Sequence, residues 1–380
     1  MEQERLLDLA GQYKNESFSG RYISLQDLEK FIKAFPSSQK KVMGESVLGL
    51  PIHQLDLGEG SKKVLMWSQM HGNETTTTKA LIDFIGFLQS NSAEAKEILT
   101  KISFTFIPML NPDGAKAYTR NNANDVDLNR DAQLCSQPES KAFKELYTVL
   151  QPDYCFNLHD QRTLFGVGEP AKPATVSFLS PAFSETIDVN ENRVTTMQLI
   201  AYINKSLQKI IPKQVGRYDD GFNLNCVGDT LQNLGIPTIL FEAGHFDGDY
   251  DREETRKLIM IALLKSTWGL STKIYRNLDY QEYFKIPENK KCFYDVIIRN
   301  IGKQNADLAI QYREVLIDNK ISFVPFLEAL GPLETYIGHQ EMDVLGKKLL
   351  LNRQENLSDI TEVQEISVDG KECLLNLTKT

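Results

Sequence analysis

Four short apolar runs constrain this chain more than any other feature. Residues 64–70, 102–110, 154–158 and 238–241 show no apolar–polar alternation, the pattern of strands buried on both faces of a sheet covered by helices. Helical patterns lie between them. Residues 75–89 set Ala80, Ile82, Phe84, Ile85 and Leu88 on one broad apolar face. Ser136-Gln137-Pro138-Glu139 reads as a capping box with an early proline, opening a helix to Leu150. Ile200, Ile203, Leu207 and Ile210 precede a stop at Pro212, and a further helix is expected over about residues 253–268. Strands alternating with helices predict an α/β fold with a mixed, mainly parallel central sheet flanked by helices.

A chain of 380 residues exceeds one ordinary core. After about residue 270 the texture changes to short apolar runs at 293–298, 321–326, 349–351 and 373–377, divided by turn-like and charged stretches. The expected organisation is an N-terminal helical segment over 1–44, a catalytic domain over 45–269 and a small β-rich domain over 270–380. Forty-two basic against 51 acidic residues give a formal charge of −9, which argues against a nucleic-acid partner, since that needs clustered positive charge. The opening Met1-Glu2-Gln3-Glu4-Arg5 has no signal-peptide pattern, and the apolar run at 258–264 is too short for a bilayer. No membrane partner is therefore expected, and the reading is a soluble cytoplasmic protein of open oligomeric state. Five scattered cysteines without a C-x-x-C pair fit free thiols in a reducing compartment.

Each apolar run hands over to a polar cluster at its carboxyl end: His71-Gly72-Asn73-Glu74, Asn111-Pro112-Asp113-Gly114, His159-Asp160, and Glu242-Ala243-Gly244-His245. Ligand sites in open α/β sheets lie beyond the carboxyl ends of the strands, so the four clusters are expected to meet in one crevice. His71 and Glu74 can turn toward one ion, and His159 supplies the third ligand of a catalytic zinc site that keeps its fourth position open. Taken alone, the first pair also fits a capping glutamate beside a half-buried histidine. His245, in a loop rich in glycine and aspartate, ranks below His159 as a ligand. Asp160 can orient a histidine or cap the following loop. Glu242 ends an apolar strand, where an ionised carboxylate is costly unless it faces a cavity or a cation. It is the candidate general base; the alternative is a carboxylate paired with Arg252 or Lys257. Residues 120–131 are too polar for a core element and read as a functional loop, in which Arg120 and Arg130, with Asn129 beside them, suit oxyanion and carboxylate recognition.

In order along the chain, H-G-N-E at 71–74, N-P-D-G at 111–114, D-L-N-R at 127–130, P-E-S-K-A at 138–142, N-L-H at 157–159 and L-F-E at 240–242 resemble the zinc metallocarboxypeptidases, the carboxypeptidase A-like family. The resemblance spans roughly residues 45–268. It implies His71, Glu74 and His159 as ligands of one zinc ion, Glu242 as general base, Arg120 as oxyanion stabiliser, and Asn129 with Arg130 as the clamp for a substrate carboxylate. Tyr218 is the nearest match to the family's mobile tyrosine, and Gly228 and Asp229 fall at the side-chain pocket. The H-G-N-E form and the β-rich tail also resemble the aspartoacylase and succinylglutamate desuccinylase branch, whereas N-P-D-G and P-E-S-K-A favour the peptidases.

The resulting expectation is zinc-dependent amide hydrolysis, foremost removal of a C-terminal residue from a peptide, a cell-wall peptide included. An N-acyl amino acid is the alternative substrate. A zinc-bearing binding protein without turnover is the third reading.

Overall fold

The computed structural model describes residues 1–354, 357 and 360–372. Two helices, α1 (Gln3–Gln12) and α2 (Leu25–Lys33), precede an eight-stranded sheet. Its strands are β1 (Lys40–Glu45), β2 (Pro51–Leu57), β3 (Lys62–Trp67), β4 (Ile102–Ile107), β5 (Tyr154–Asp160), β8 (Val176–Leu179), β9 (Val215–Arg217) and β10 (Thr238–Ala243), in the order β1-β2-β4-β3-β5-β10-β8-β9. The centre is parallel: β3 lies between β4 and β5, and β10 follows β5. Antiparallel pairing takes over at β1–β2, β2–β4 and β8–β10. The sheet is therefore mixed and mainly parallel. Because β1 begins at Lys40 and pairs with β2, the N-terminal segment turns from helix to sheet before residue 44.

Unbroken apolar runs form these strands because both faces are covered. On β3, Val64 and Met66 join the larger core, while Leu65 and Trp67 join the smaller core on the other face with Phe143, Tyr147 and Cys155. Helices α3 (Thr76–Leu88), α4 (Ala93–Lys101), α7 (Glu191–Leu207) and α9 (Glu253–Thr272) bury side chains in the first core. The short α5 (Pro112–Ala117) follows β4, and α6 (Pro138–Leu150) and α8 (Val227–Asn233) cover the second face. The capping box expected at Ser136 is not made. Gln137 is the N-cap without a side-chain cap bond, and Asp131 accepts from the Ser136 and Gln137 N–H groups at 2.9 and 3.0 Å. Glu139, fully buried, instead accepts from Val47 N–H and from the Asn122 amide, which ties α6 to the polar loop.

Beyond α9 the chain is β-rich. A small sheet joins β11 (Lys290–Lys291) to β6 (Phe165–Val167) and β7 (Lys172–Pro173), so the lead-in to the terminal region is woven into the main body. Strands β12 (Phe293–Ile301), β13 (Ala306–Ile317), β14 (Lys320–Gly331) and β15 (Ile337–Asp343) form a second sheet in the order β14-β13-β12-β15. Strands β16 (Leu349–Leu351) and β17 (Ile366–Val368) pair beside it, closing an apolar core that also takes in Tyr250. The run expected at 373–377 lies outside the described residues. Buried Arg21 pairs with Glu314 of β13 at 3.0 Å, and Tyr118 donates to the same carboxylate at 2.5 Å, joining the terminal region to the segment that leads into Arg120.

Candidate metal centre

Beyond β3 the main chain is held to the segment after β4: Leu110 N–H donates to the Ser68 carbonyl and Asn111 N–H to that of Gln69. Gly72 then packs backbone-to-backbone on α5. A Cβ at 72 would lie 1.9 Å from the Gly114 carbonyl carbon. The Asn111 side chain accepts from Gly114 N–H at 2.8 Å and donates to the Met70 carbonyl at 3.3 Å. H-G-N-E and N-P-D-G are two halves of one clasp, which aims His71 and Glu74.

His159, near the end of β5, meets them. One ligand atom each from His71, Glu74 and His159 lies within 4.8 Å of the other two, and the three side chains are buried. The two Nδ1 atoms face each other at 3.2 Å, while Glu74 Oε1 is 2.7 Å from one and Oε2 is 2.8 Å from the other. Facing imidazole nitrogens cannot both carry a proton, and tetrahedral zinc with bonds of about 2.0–2.1 Å to nitrogen separates its ligands by about 3.3–3.4 Å. Two imidazoles and a carboxylate therefore fit zinc in spacing and in chemistry. His71 Nε2 lies 3.0 Å from Asp127 Oδ1, an acceptor that leaves the Nδ1 lone pair free for a metal.

Electrostatics follow from this crowding. Burial pushes the Glu74 carboxyl up, but the two imidazoles outweigh it and hold it below its usual range. Burial, the nearby Glu74 and Asp160 together push Glu242 well above the carboxylate range, against Arg120. Glu242 stands level with His159 on the neighbouring strand, and its Oε2 is a buried atom without a hydrogen-bond partner. The pairing with Arg252 or Lys257 is not made: Arg252 donates to the Ala243 and Gln161 carbonyls, and Lys257 faces Glu254. Half-exposed Arg120 reaches Asp127 at 3.0 Å and Glu74 at 3.4 Å.

Residues 25–202 match a family model described as zinc carboxypeptidase. That stretch is thus similar to the zinc carboxypeptidases. The match takes in His71, Glu74, Arg120, Asn129, Arg130 and His159, and it ends before Tyr218 and Glu242. A probable carboxypeptidase 2 of Arthroderma benhamiae is 30% identical over 102 residues, 26% of this chain and 19% of the fungal protein. Carboxypeptidase SOL1 of Arabidopsis thaliana is 31% identical over 124 residues, 29% of this chain and 25% of the plant protein. The matched stretch thus spans a quarter or less of these relatives' own length. The fold is shared with a solved metallo-carboxypeptidase of Burkholderia cenocepacia (TM-score 0.52, 18% identity, covering 66% of this chain and 70% of that one). It is shared too with bovine thrombin-activatable fibrinolysis inhibitor (TM-score 0.54, 15% identity, 70% and 100% covered).

The polar loop is ordered by its own side chains, with Asn122 accepting from Asn124 and Val126 N–H groups. Asn129 accepts from Val227 N–H at 3.1 Å, fixing the loop to α8, and exposed Arg130 donates to the Asn129 carbonyl at 2.9 Å. Tyr218 donates to Gln161 Oε1 at 2.7 Å, and burial together with Glu242 and Glu74 pushes its phenol up. Gly228 sits against Pro181, where a Cβ would come within 3.1 Å of the ring. Asp229 is 7% exposed. His245 stands apart from the three ligands, its ring against Tyr250 and His339. Asp160 neither orients a histidine nor caps its own loop: it accepts from Thr76 and Thr77 N–H groups at the start of α3. The orienting carboxylate is Asp127, which sequence reading left without a role although it opens D-L-N-R. Gln161 was missed as well, and its only signal was its place two residues after His159.

Burial raises the Asp229 carboxyl from 3.8 to about 7, outweighing Cys226 and Arg130. A carboxyl that protonates more readily in the folded chain makes folding take up a proton between about pH 4 and pH 7. Stability attributable to Asp229 then falls as pH rises through that window. Asp229→Asn is expected to melt higher than the parent at pH 8 and to differ little at pH 4. Equal Tm differences at both pH values would remove Asp229 as the cause.

Proposed function

We propose that the protein is a zinc-dependent amide hydrolase that removes a C-terminal residue from a peptide. The observation carrying this reading is the convergence of His71, Glu74 and His159 within 4.8 Å, beside a carboxylate on the adjoining strand that no other group engages. One zinc ion held by these three side chains would supply a Lewis acid and lower the pKa of coordinated water toward about 7. Glu242 takes a proton from the attacking water and returns it to the leaving nitrogen. Arg120 stabilises the oxyanion, and Tyr218 takes part as a substrate contact. Asn129 and Arg130 clamp the terminal carboxylate, a role no endopeptidase would need. Gly228 and Asp229 border the side-chain pocket. The free thiols of Cys135, Cys155, Cys226 and Cys292 suit a reducing compartment and support action in the cytoplasm. On this reading residues 45–269 do the chemistry and residues 270–380 support it.

The decisive experiment is zinc analysis of the purified protein together with a panel of blocked dipeptides, their amides and N-acyl amino acids. A γ-D-glutamyl peptide belongs in the panel, because a relative in Lysinibacillus sphaericus, 29% identical over 98 residues, is a γ-D-glutamyl-L-diamino acid endopeptidase. Turnover of N-acyl amino acids alone would sink the peptidase reading in favour of deacylation, and zinc without any turnover would favour a binding protein. Arg130→Ala is expected to lower kcat/KM on free-carboxylate substrates by about 30-fold or more, the cost of truncating one side of a charge pair. Equal loss on amidated substrates would contradict the clamp.

A further inference from the structure

Tyr218 directly follows the three-residue strand β9 and precedes Asp219-Asp220-Gly221, a segment with few apolar anchors of its own. Its position is nevertheless set by several contacts. Its N–H donates to the Phe178 carbonyl at 3.0 Å, and its ring meets Phe165 of β6 edge-on at 5.5 Å. Its hydroxyl donates to Gln161 Oε1. That amide has one available orientation, because Gln161 Nε2 donates to the Ala174 carbonyl, leaving Oε1 toward the phenol. Gln161 is itself 5% exposed, with its N–H on the Ala243 carbonyl at 2.9 Å.

A second amide aligns the first from far along the chain. Asn289 Nδ2 donates to the same Gln161 Oε1 at 3.0 Å, its Oδ1 accepts from Ser177 Oγ at 3.1 Å, and its N–H donates to the Arg217 carbonyl at 2.9 Å. Its side chain passes so close to β9 that a Cβ on Gly216 would lie 2.0 Å from Asn289 Oδ1. Asn289 immediately precedes β11, which pairs with β6, the strand carrying Phe165. The lead-in to the terminal β-region therefore provides one side of the tyrosine's seat and aligns its hydrogen-bond acceptor.

We propose that Gln161 and Asn289 are positioning residues that hold the Tyr218 hydroxyl in one place through the shared Gln161 carbonyl oxygen. This rests on the proposed substrate contact of Tyr218, but the holding itself is read without substrate. In the zinc-loaded full chain, tetranitromethane nitration of Tyr218 is followed by peptide mass spectrometry, with fully buried Tyr283 as internal control. Gln161→Leu and Asn289→Ala are each expected to speed Tyr218 nitration by about tenfold, the fold-change that losing a hydrogen bond of ordinary net strength allows, with Tyr283 unchanged. Gly216→Ala, whose methyl group would collide with the Asn289 side chain and with Val167 and Ser177 beside it, should act in the same direction. Unchanged nitration of Tyr218 in all three variants overturns the proposal. On a turned-over substrate, Gln161→Leu should lower kcat/KM in the parent and cost nothing more in Tyr218→Phe. Equal losses in both backgrounds overturn the positioning role and leave the hydrolase reading standing, whereas absence of turnover counts against the hydrolase reading alone.

Discussion

Glu242→Gln is expected to retain zinc at the parent's stoichiometry while kcat falls by about 10²–10⁴-fold, the range for loss of a general base. The amide keeps the shape and the strand position level with His159, so what disappears is the capacity to accept a proton. Zinc content, kcat and KM measured on one preparation separate the alternatives. A variant within tenfold of the parent would remove Glu242 from the reaction, and a variant that lost zinc would make it part of the metal's support. KM should change little, because on the proposed mechanism the base would act on water and on the leaving nitrogen and not on the group that anchors the substrate.

Asp83→Ala is expected to be the most costly single change to stability. Asp83 of α3 and Arg256 of α9 are each 1% exposed and bonded twice, at 2.7 Å per contact. Arg256 also donates to the Phe18 and Asn15 carbonyls, and Asn15 N–H donates to Asp83, so the pair fastens the N-terminal segment onto two core helices. Removing this carboxylate leaves the buried guanidinium only the more exposed Glu253, at 3.1 Å, as a charged partner, and breaking a buried pair in this way costs about 3–5 kcal/mol. Urea unfolding measures it. Replacing both residues, Asp83→Leu with Arg256→Met, should recover much of the loss because no unpaired charge remains. A single variant that loses less than about 1 kcal/mol would mean that Glu253 alone suffices to hold the Arg256 charge.

The centre of the sheet was legible because β3, β4, β5 and β10 are buried on both faces, which writes an uninterrupted apolar run into the sequence. Strands β8 and β9, of four and three residues, are too short to carry such a run although Val176, Phe178 and Val215 reach the core. β13 interleaves Leu308, Ile310 and Tyr312 with Gln311 and Arg313, so it blends with the charged segments around it. The candidate metal ligands could be read because each lies at or just past the carboxyl end of a strand, where the fold brings distant polar groups together. Gln161 and Asn289 could not, since an amide announces no chemistry and this pair is 128 residues apart. The same holds for Asp160, whose contacts with α3 depend on how the helix sits over β5.

The bare contact between residues 72 and 114 also bears on redesign of the centre. Libraries that vary the neighbours of His71 must leave both glycines untouched, since a methyl group at 72 collides with the Gly114 backbone and one at 114 with the Asn111 side chain and the Asn121 carbonyl. Recruiting a different ion through this loop would require rebuilding both motifs together, and the mutational route to new metal chemistry is correspondingly narrow.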